Sequence, residues 1–230
     1  MSFGTEILII ELIGIIACTI TGAVAAIKRK FDLFGVIVLG VVTALGGGVL
    51  RDIILGIFPP VMFRKPIYAV FACITSIIVF MIMAFDSEEV EEKKTFLIDI
   101  INFFDAIGLG IFAVIGTNTA LVNGFGNNAF LAIFVGVCTG IGGGMLRDIL
   151  AQRVPFVLYK DIYALAALAG SGMYYFMYLK NLSAFISVTS AIAVTILIRL
   201  IALYYHLGLP KLSLLKRKNN VSEKNNDINQ

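Results

Sequence analysis

Gly46-Gly47-Gly48-Val49-Leu50-Arg51-Asp52 occurs again, nearly letter for letter, as Gly142-Gly143-Gly144-Met145-Leu146-Arg147-Asp148. Each copy interrupts a long apolar run with three glycines and then places an Arg-Asp pair just beyond them. Glycine costs about 1 kcal/mol relative to alanine in a helix, and an arginine or aspartate in a hydrocarbon layer costs more. A chain that makes the same expensive choice twice is using it. The two stretches read as the working part of a small membrane transport protein.

The surroundings agree. Of 230 residues, 59% are hydrophobic and 14% charged, and mean hydropathy is +0.96. A soluble domain is roughly 45–50% apolar and about 25% charged. The apolar residues form blocks of around 20, the length that crosses a bilayer core of about 30 Å. Seven spans are expected, near Ile7–Ile27, Leu33–Phe58, Ile67–Phe85, Ile98–Val122, Asn128–Leu150, Asp161–Leu179 and Ser183–Tyr205. They must be helices, because backbone polar groups cannot go unpaired in lipid. The fold class is therefore an all-α integral membrane protein, with the second and fifth spans broken at their glycines. The first block lacks a basic leader and a small-residue cleavage site, and so reads as a retained span.

The duplication reaches beyond the glycines. Glu11, Gly14 and Gly22 correspond to Asp105, Gly108 and Gly116, each 94 positions later. Gly40, Thr43, Arg51, Asp52 and Pro59 correspond to Gly136, Thr139, Arg147, Asp148 and Pro155, each 96 later. Each unit holds three spans, and an odd number makes the second enter from the opposite side, giving inverted repeats. The resulting organisation is a first repeat over residues 1–85 and a charged linker over 86–97. A second repeat follows over 98–180, then a seventh helix over 181–206 and a basic, disordered tail over 207–230.

Lys and Arg set the orientation. One side carries Lys28, Arg29, Lys30, Lys93, Lys94, Arg147, Arg153, Lys160, Lys211, Lys216, Arg217, Lys218 and Lys224; the other carries Arg51, Arg64, Lys65 and Lys180. The N-terminus is expected outside and the C-terminus in the cytoplasm. The run Lys216-Arg217-Lys218 reads as a contact with anionic lipid. Tyr174, Tyr175, Tyr178, Tyr204 and Tyr205 read as interfacial anchors.

A glycine break exposes carbonyls for cations and amides for anions. Gly46, Gly47, Gly48, Gly142, Gly143 and Gly144 are thus candidate pore or substrate-lining residues, with Thr43, Thr139 and Asn118 beside them. The competing reading is close helix packing, which is the simpler one for Gly14, Gly22, Gly136 and Gly140. The cluster Thr117-Asn118-Thr119 either lines a wet path or bonds between helices. Adjacent Arg and Asp do not face each other on a helix, so another partner is expected for each arginine. At about 1.5 Å per residue, Glu11 lies about 6 Å inside its span. Arg51, about 27 Å along its own, reaches a similar depth. The expected pairs are Glu11–Arg51 and Asp105–Arg147, serving permeation or only folding.

No catalytic constellation, metal-ligand cluster or Walker loop is present, and Cys18, Cys73 and Cys138 stand alone. His206 has no partner motif. The chain does not read as an enzyme, and no cofactor, metal or nucleic acid is implied.

Two three-span repeats, each bearing Gly-x-Gly-Gly-Gly-x-x-Arg-Asp or close to it, plus a seventh span, resemble the bacterial branch of the trimeric intracellular cation channel family. Its members are also described as glycine-transporter-domain membrane proteins. The second copy, from Gly140 to Asp148, fits fully, whereas the first has Ala44 for the leading glycine. The resemblance covers about Ile7 to Tyr205. It implies a homotrimer in the bacterial plasma membrane, with a pore in each subunit passing K⁺ foremost, or Na⁺. The animal members carry a lysine in the fourth span that this chain lacks, so their voltage and inositol-lipid regulation is not implied. The alternative is a secondary transporter for glycine or another small amino acid, since broken helices in inverted repeats also hold substrates. A membrane scaffold is the third reading.

Overall fold

A computed structural model describes residues 3–84, 91–158 and 162–205. The tail, with His206 and Lys216–Lys218, lies outside the described residues, as do residue 85 and 86–90 of the linker. Among the described residues, seven helices are long and apolar enough to cross a membrane. They are α1 (Phe3–Lys28), α2 (Leu33–Ile54), α4 (Ile67–Ala84), α5 (Glu91–Ala120), α6 (Ala129–Leu150), α7 (Ile162–Leu179) and α8 (Ala184–Tyr204). The short α3 (Val61–Arg64) fills the turn between α2 and α4, and a 3-10 turn at Phe156–Leu158 fills the matching place before α7. Helix α5 begins seven residues before the expected span; residues 91–97 are helix, not linker. Glu and Lys are good helix formers, and their charge hid the helix from a reading based on hydropathy.

The expected breaks are absent. Both α2 and α6 run as unbroken α-helix through their glycines. Freed amides and carbonyls would cost several kcal/mol each in a dry interior, more than the roughly 1 kcal/mol per glycine of staying helical. What the missing side chains allow is contact. A Cβ on Gly47 would stand 2.2 Å from the Thr139 carbonyl oxygen, and one on Gly143 would stand 2.1 Å from that of Thr43. The two helices cross backbone against backbone at the centre of the molecule. Around them α1 packs on α5, α4 on α1 and α2, and α7 on α5 and α6; α8 leans on α5 and α7.

The contacts recur at the spacing of the repeat. Gly46 meets Leu146, and Gly142 meets Leu50. Gly14 meets Phe112, and Gly108 meets Cys18. The Asp32 side chain caps α2 by accepting from the Gly35 amide, and the Asn128 side chain caps α6 by accepting from that of Leu131. Past each helix the chain turns through a left-handed residue, Gly56 or Gln152, and an amide returns to the last turn: Ile57 to Asp52, Arg153 to Asp148. Such reciprocity, each unit giving the other the contact it receives, is what a two-fold relation between like units produces. Helix α8 has no counterpart.

Candidate functional site

Two buried polar clusters flank the glycine crossing. Each is built from the last turn of α2 or α6, where a cation is favoured by the carbonyl end of the helix. In the first, Arg51 Nε donates to Asp52 Oδ1 at 2.8 Å, and Asp52 Oδ2 accepts the Val61 amide at 2.7 Å. In the second, Arg147 Nε donates to Asp148 Oδ1 at 2.9 Å, and Asp148 Oδ2 accepts the Phe156 amide at 3.0 Å. The neighbouring arginine and aspartate, which need not have formed a self-contained pair, are bonded to each other here. Successive side chains diverge by about 100°, but an arginine is long enough to bend its Nε back. The aspartate, two residues from the helix end, has no further full turn in its way. Each aspartate thus ties its arginine to the returning loop.

Of the two cross-helix pairs expected, Asp105–Arg147 forms, with Nη1 and Oδ1 2.8 Å apart. The same Nη1 reaches Thr21 Oγ1 on α1 at 2.9 Å, and the guanidinium lies 5.2 Å from the centre of the Phe156 ring. In the first unit Glu11 instead accepts the hydroxyl of Tyr68 from α4, and Arg51 keeps to Asp52, its buried Nη1 lacking a hydrogen-bond partner.

The glycine carbonyls stay within helices. Thr43 and Thr139 are buried and donate to their own helices, at Leu39 and Val135. Their hydroxyls fill the notches left by Gly22 and Gly116. Asn118 accepts from Tyr174 of α7 at 2.8 Å, a bond between helices; Thr117 and Thr119 bond within α5. Tyr174 and Tyr175, expected at the interface, are 3% and 5% exposed and serve the core, the latter bonding to the Gly126 carbonyl. Tyr178, Tyr204 and Tyr205 are exposed.

Three residues escaped the sequence reading. Tyr68 and Tyr163 lie 95 positions apart, each buried beside the acid of its unit. Arg199 of α8 is 2% exposed, with its guanidinium 4.7 Å from the centre of the Tyr163 ring. An arginine within an apolar span was the available signal.

The model of the glycine transporter family matches twice, over residues 8–84 and 102–179. The chain belongs to this family. The two matches begin 94 residues apart, at the spacing of the recurring contacts. The UPF0126 inner membrane protein YadS of Escherichia coli is 35% identical to the chain, covering 89% of it and 95% of YadS. The structure is similar to that of a prokaryotic TRIC channel in 0.5 M KCl, with TM-score 0.80 and 33% identity over 90% of this chain and all of the other. It is also similar to a TRIC trimeric intracellular cation channel orthologue from Rhodobacter sphaeroides, with TM-score 0.78, 30% identity and 88% and 100% coverage. The family member described here is a multi-pass inner membrane protein for transport across the bilayer, related to channels and not to enzymes.

Proposed function

We propose that this protein is a monovalent-cation channel, K⁺ foremost, assembled as a homotrimer with one path per subunit between two inverted three-helix units. The observation that carries the reading is the α2–α6 crossing. Two glycine-faced helices meet there at backbone distance, with an ionised cluster at the end of each. Residues that meet without side chains can part and slide at little cost in repacking, and the clusters then set the field along the opened path. The crevice bordered by Gly144, Arg147, Asp148, Phe156 and Tyr163 is too narrow for a water molecule.

The units take residues 1–85 and 98–180, and three spans in each put them in opposite senses across the membrane. Arg29 bonds the Gln152 carbonyl at 2.7 Å, so the turn after α1 and the end of α6 share a face. That face carries Lys28, Arg29, Lys30 and Arg153 and is cytoplasmic by the excess of basic residues. Recording from the purified chain in planar bilayers tests the function. Unitary K⁺ currents are expected. Saturable glycine counterflow without unitary currents overturns the channel and favours the carrier that the family's description names.

A further inference from the structure

The buried charged side chains among the described residues form two groups, alike in geometry and unequal in charge. In the first, Glu11 and Asp52 are offset by Arg51 alone, leaving an excess of one negative charge. In the second, Asp105 and Asp148 are offset by Arg147 and by Arg199, which α8 brings in from outside the repeat. Arg199 Nε and Nη2 are buried without hydrogen-bond partners, and so is Asp105 Oδ2. The ring beneath the Arg199 guanidinium is that of Tyr163, whose hydroxyl and Asp105 Oδ1 both border Gly144. Arg199 thus lies over the ring of the phenol whose hydroxyl stands beside Asp105. A buried arginine with so few bonds is costly in a span, and its field on the carboxylate is the return.

The first unit has a cation in the same relation, but of another kind. Lys65 Nζ lies 5.8 Å from the centre of the Tyr68 ring, whose hydroxyl is on Glu11. Lys65 is exposed, so water and salt screen it and it is free to swing away. Its neighbour Arg64 is engaged by the Phe58 and Pro59 carbonyls. Glu6, on the same helix as Glu11, adds negative charge.

We propose that Arg199 is a specificity-determining residue: a resident cation that takes the electrostatic place of a permeant ion beside Asp105, so that mobile monovalent cations are admitted beside Glu11 and excluded beside Asp105. The inference rests on the channel reading above, and its test separates the two. The full-length chain is reconstituted in liposomes and treated with dicyclohexylcarbodiimide, which modifies carboxyl groups in apolar surroundings. Modified peptides are read by mass spectrometry in KCl or in N-methylglucamine chloride at equal ionic strength. K⁺ is expected to slow modification of Glu11 about tenfold, the effect of one unit charge at roughly 10 Å and an effective dielectric constant of about 20. Asp105 is expected to resist in both salts. Arg199→Gln makes Asp105 reactive and K⁺-protected, whereas Arg199→Lys, which keeps the charge, leaves it resistant. Should Arg199→Gln fail to fold, Lys65→Gln decides, because it removes the exposed competitor and lowers the K⁺ concentration that half-protects Glu11. Modification of Glu11 indifferent to K⁺, or of Asp105 as fast as Glu11 in the wild type, overturns the proposal. Currents recorded from the same vesicles keep the readings apart: protection without current refutes the channel, and current without protection refutes the role of Arg199.

Discussion

Replacing Gly47 by alanine puts a methyl group 2.2 Å from the Thr139 carbonyl oxygen and 3.3 Å from its carbon. The obstacle is backbone of α6, so no rotamer change relieves it, and the helices must part by about 1 Å before the contact is tolerable. Overpacking of this kind costs about 1–3 kcal/mol, and a central backbone-to-backbone contact belongs at the upper end. Alanine returns about 1 kcal/mol of helix propensity, leaving a net loss of about 2 kcal/mol, near a thirtyfold change in the folded population. Gly143→Ala meets the Thr43 carbonyl at 2.1 Å and should cost the same. The control is Gly172→Ala in α7, where nothing lies within 4 Å of the added methyl and the propensity gain should stand alone. Thermal unfolding of the three purified variants in one detergent, followed by circular dichroism, measures the differences. If Gly47→Ala melts as high as Gly172→Ala, the helices do not meet at these glycines and the crossing is wrongly described.

Asp105→Asn leaves Arg147 and Arg199 buried with one acid fewer and should cost about 3–5 kcal/mol. Glu11→Gln keeps an acceptor for Tyr68 and should cost about 1 kcal/mol, so melting should separate the pair clearly. Asp52→Ala removes the acceptor of the Val61 amide; hydrogen exchange at that amide should quicken while α2 remains protected. Tyr174→Phe strands the Asn118 side-chain oxygen and should lower stability by about 1–2 kcal/mol, measured by the same melts.

Much of the fold lies in the sequence because the bilayer leaves few options. Apolar blocks of spanning length must be helices, and five of the seven observed helices, α2, α4, α6, α7 and α8, begin within one residue of the expected start. The two stretches that the family model matches, 8–84 and 102–179, resemble each other in the sequence because charged and glycine positions stand out against an apolar background. The state of the glycines was not. Gly-Gly-Gly lowers the cost of a break and the cost of close approach alike, and what decides is the neighbour, here the Thr139 and Thr43 carbonyls almost 100 positions away. Propensity speaks of one helix alone, and the answer lay in two.

The charged site shows the same division. Depth arithmetic found Asp105–Arg147, because residues at one depth on packed helices can meet. It did not find the partner of Glu11, where burial is as deep but Tyr68 takes the carboxylate and Arg51 bonds Asp52. The Arg-Asp dipeptide bonds within itself, and its aspartate has a second task. With Oδ1 on the arginine and Oδ2 on a loop amide, it welds the end of a glycine-faced helix to the segment that follows. Each glycine-faced helix is thereby anchored at its end. The dipeptide accordingly stands where it does in both units, two residues short of the helix terminus. Motion at the crossing must then carry the loops with it, Met62 over Gly48 on one side and Phe156 over Arg147 on the other.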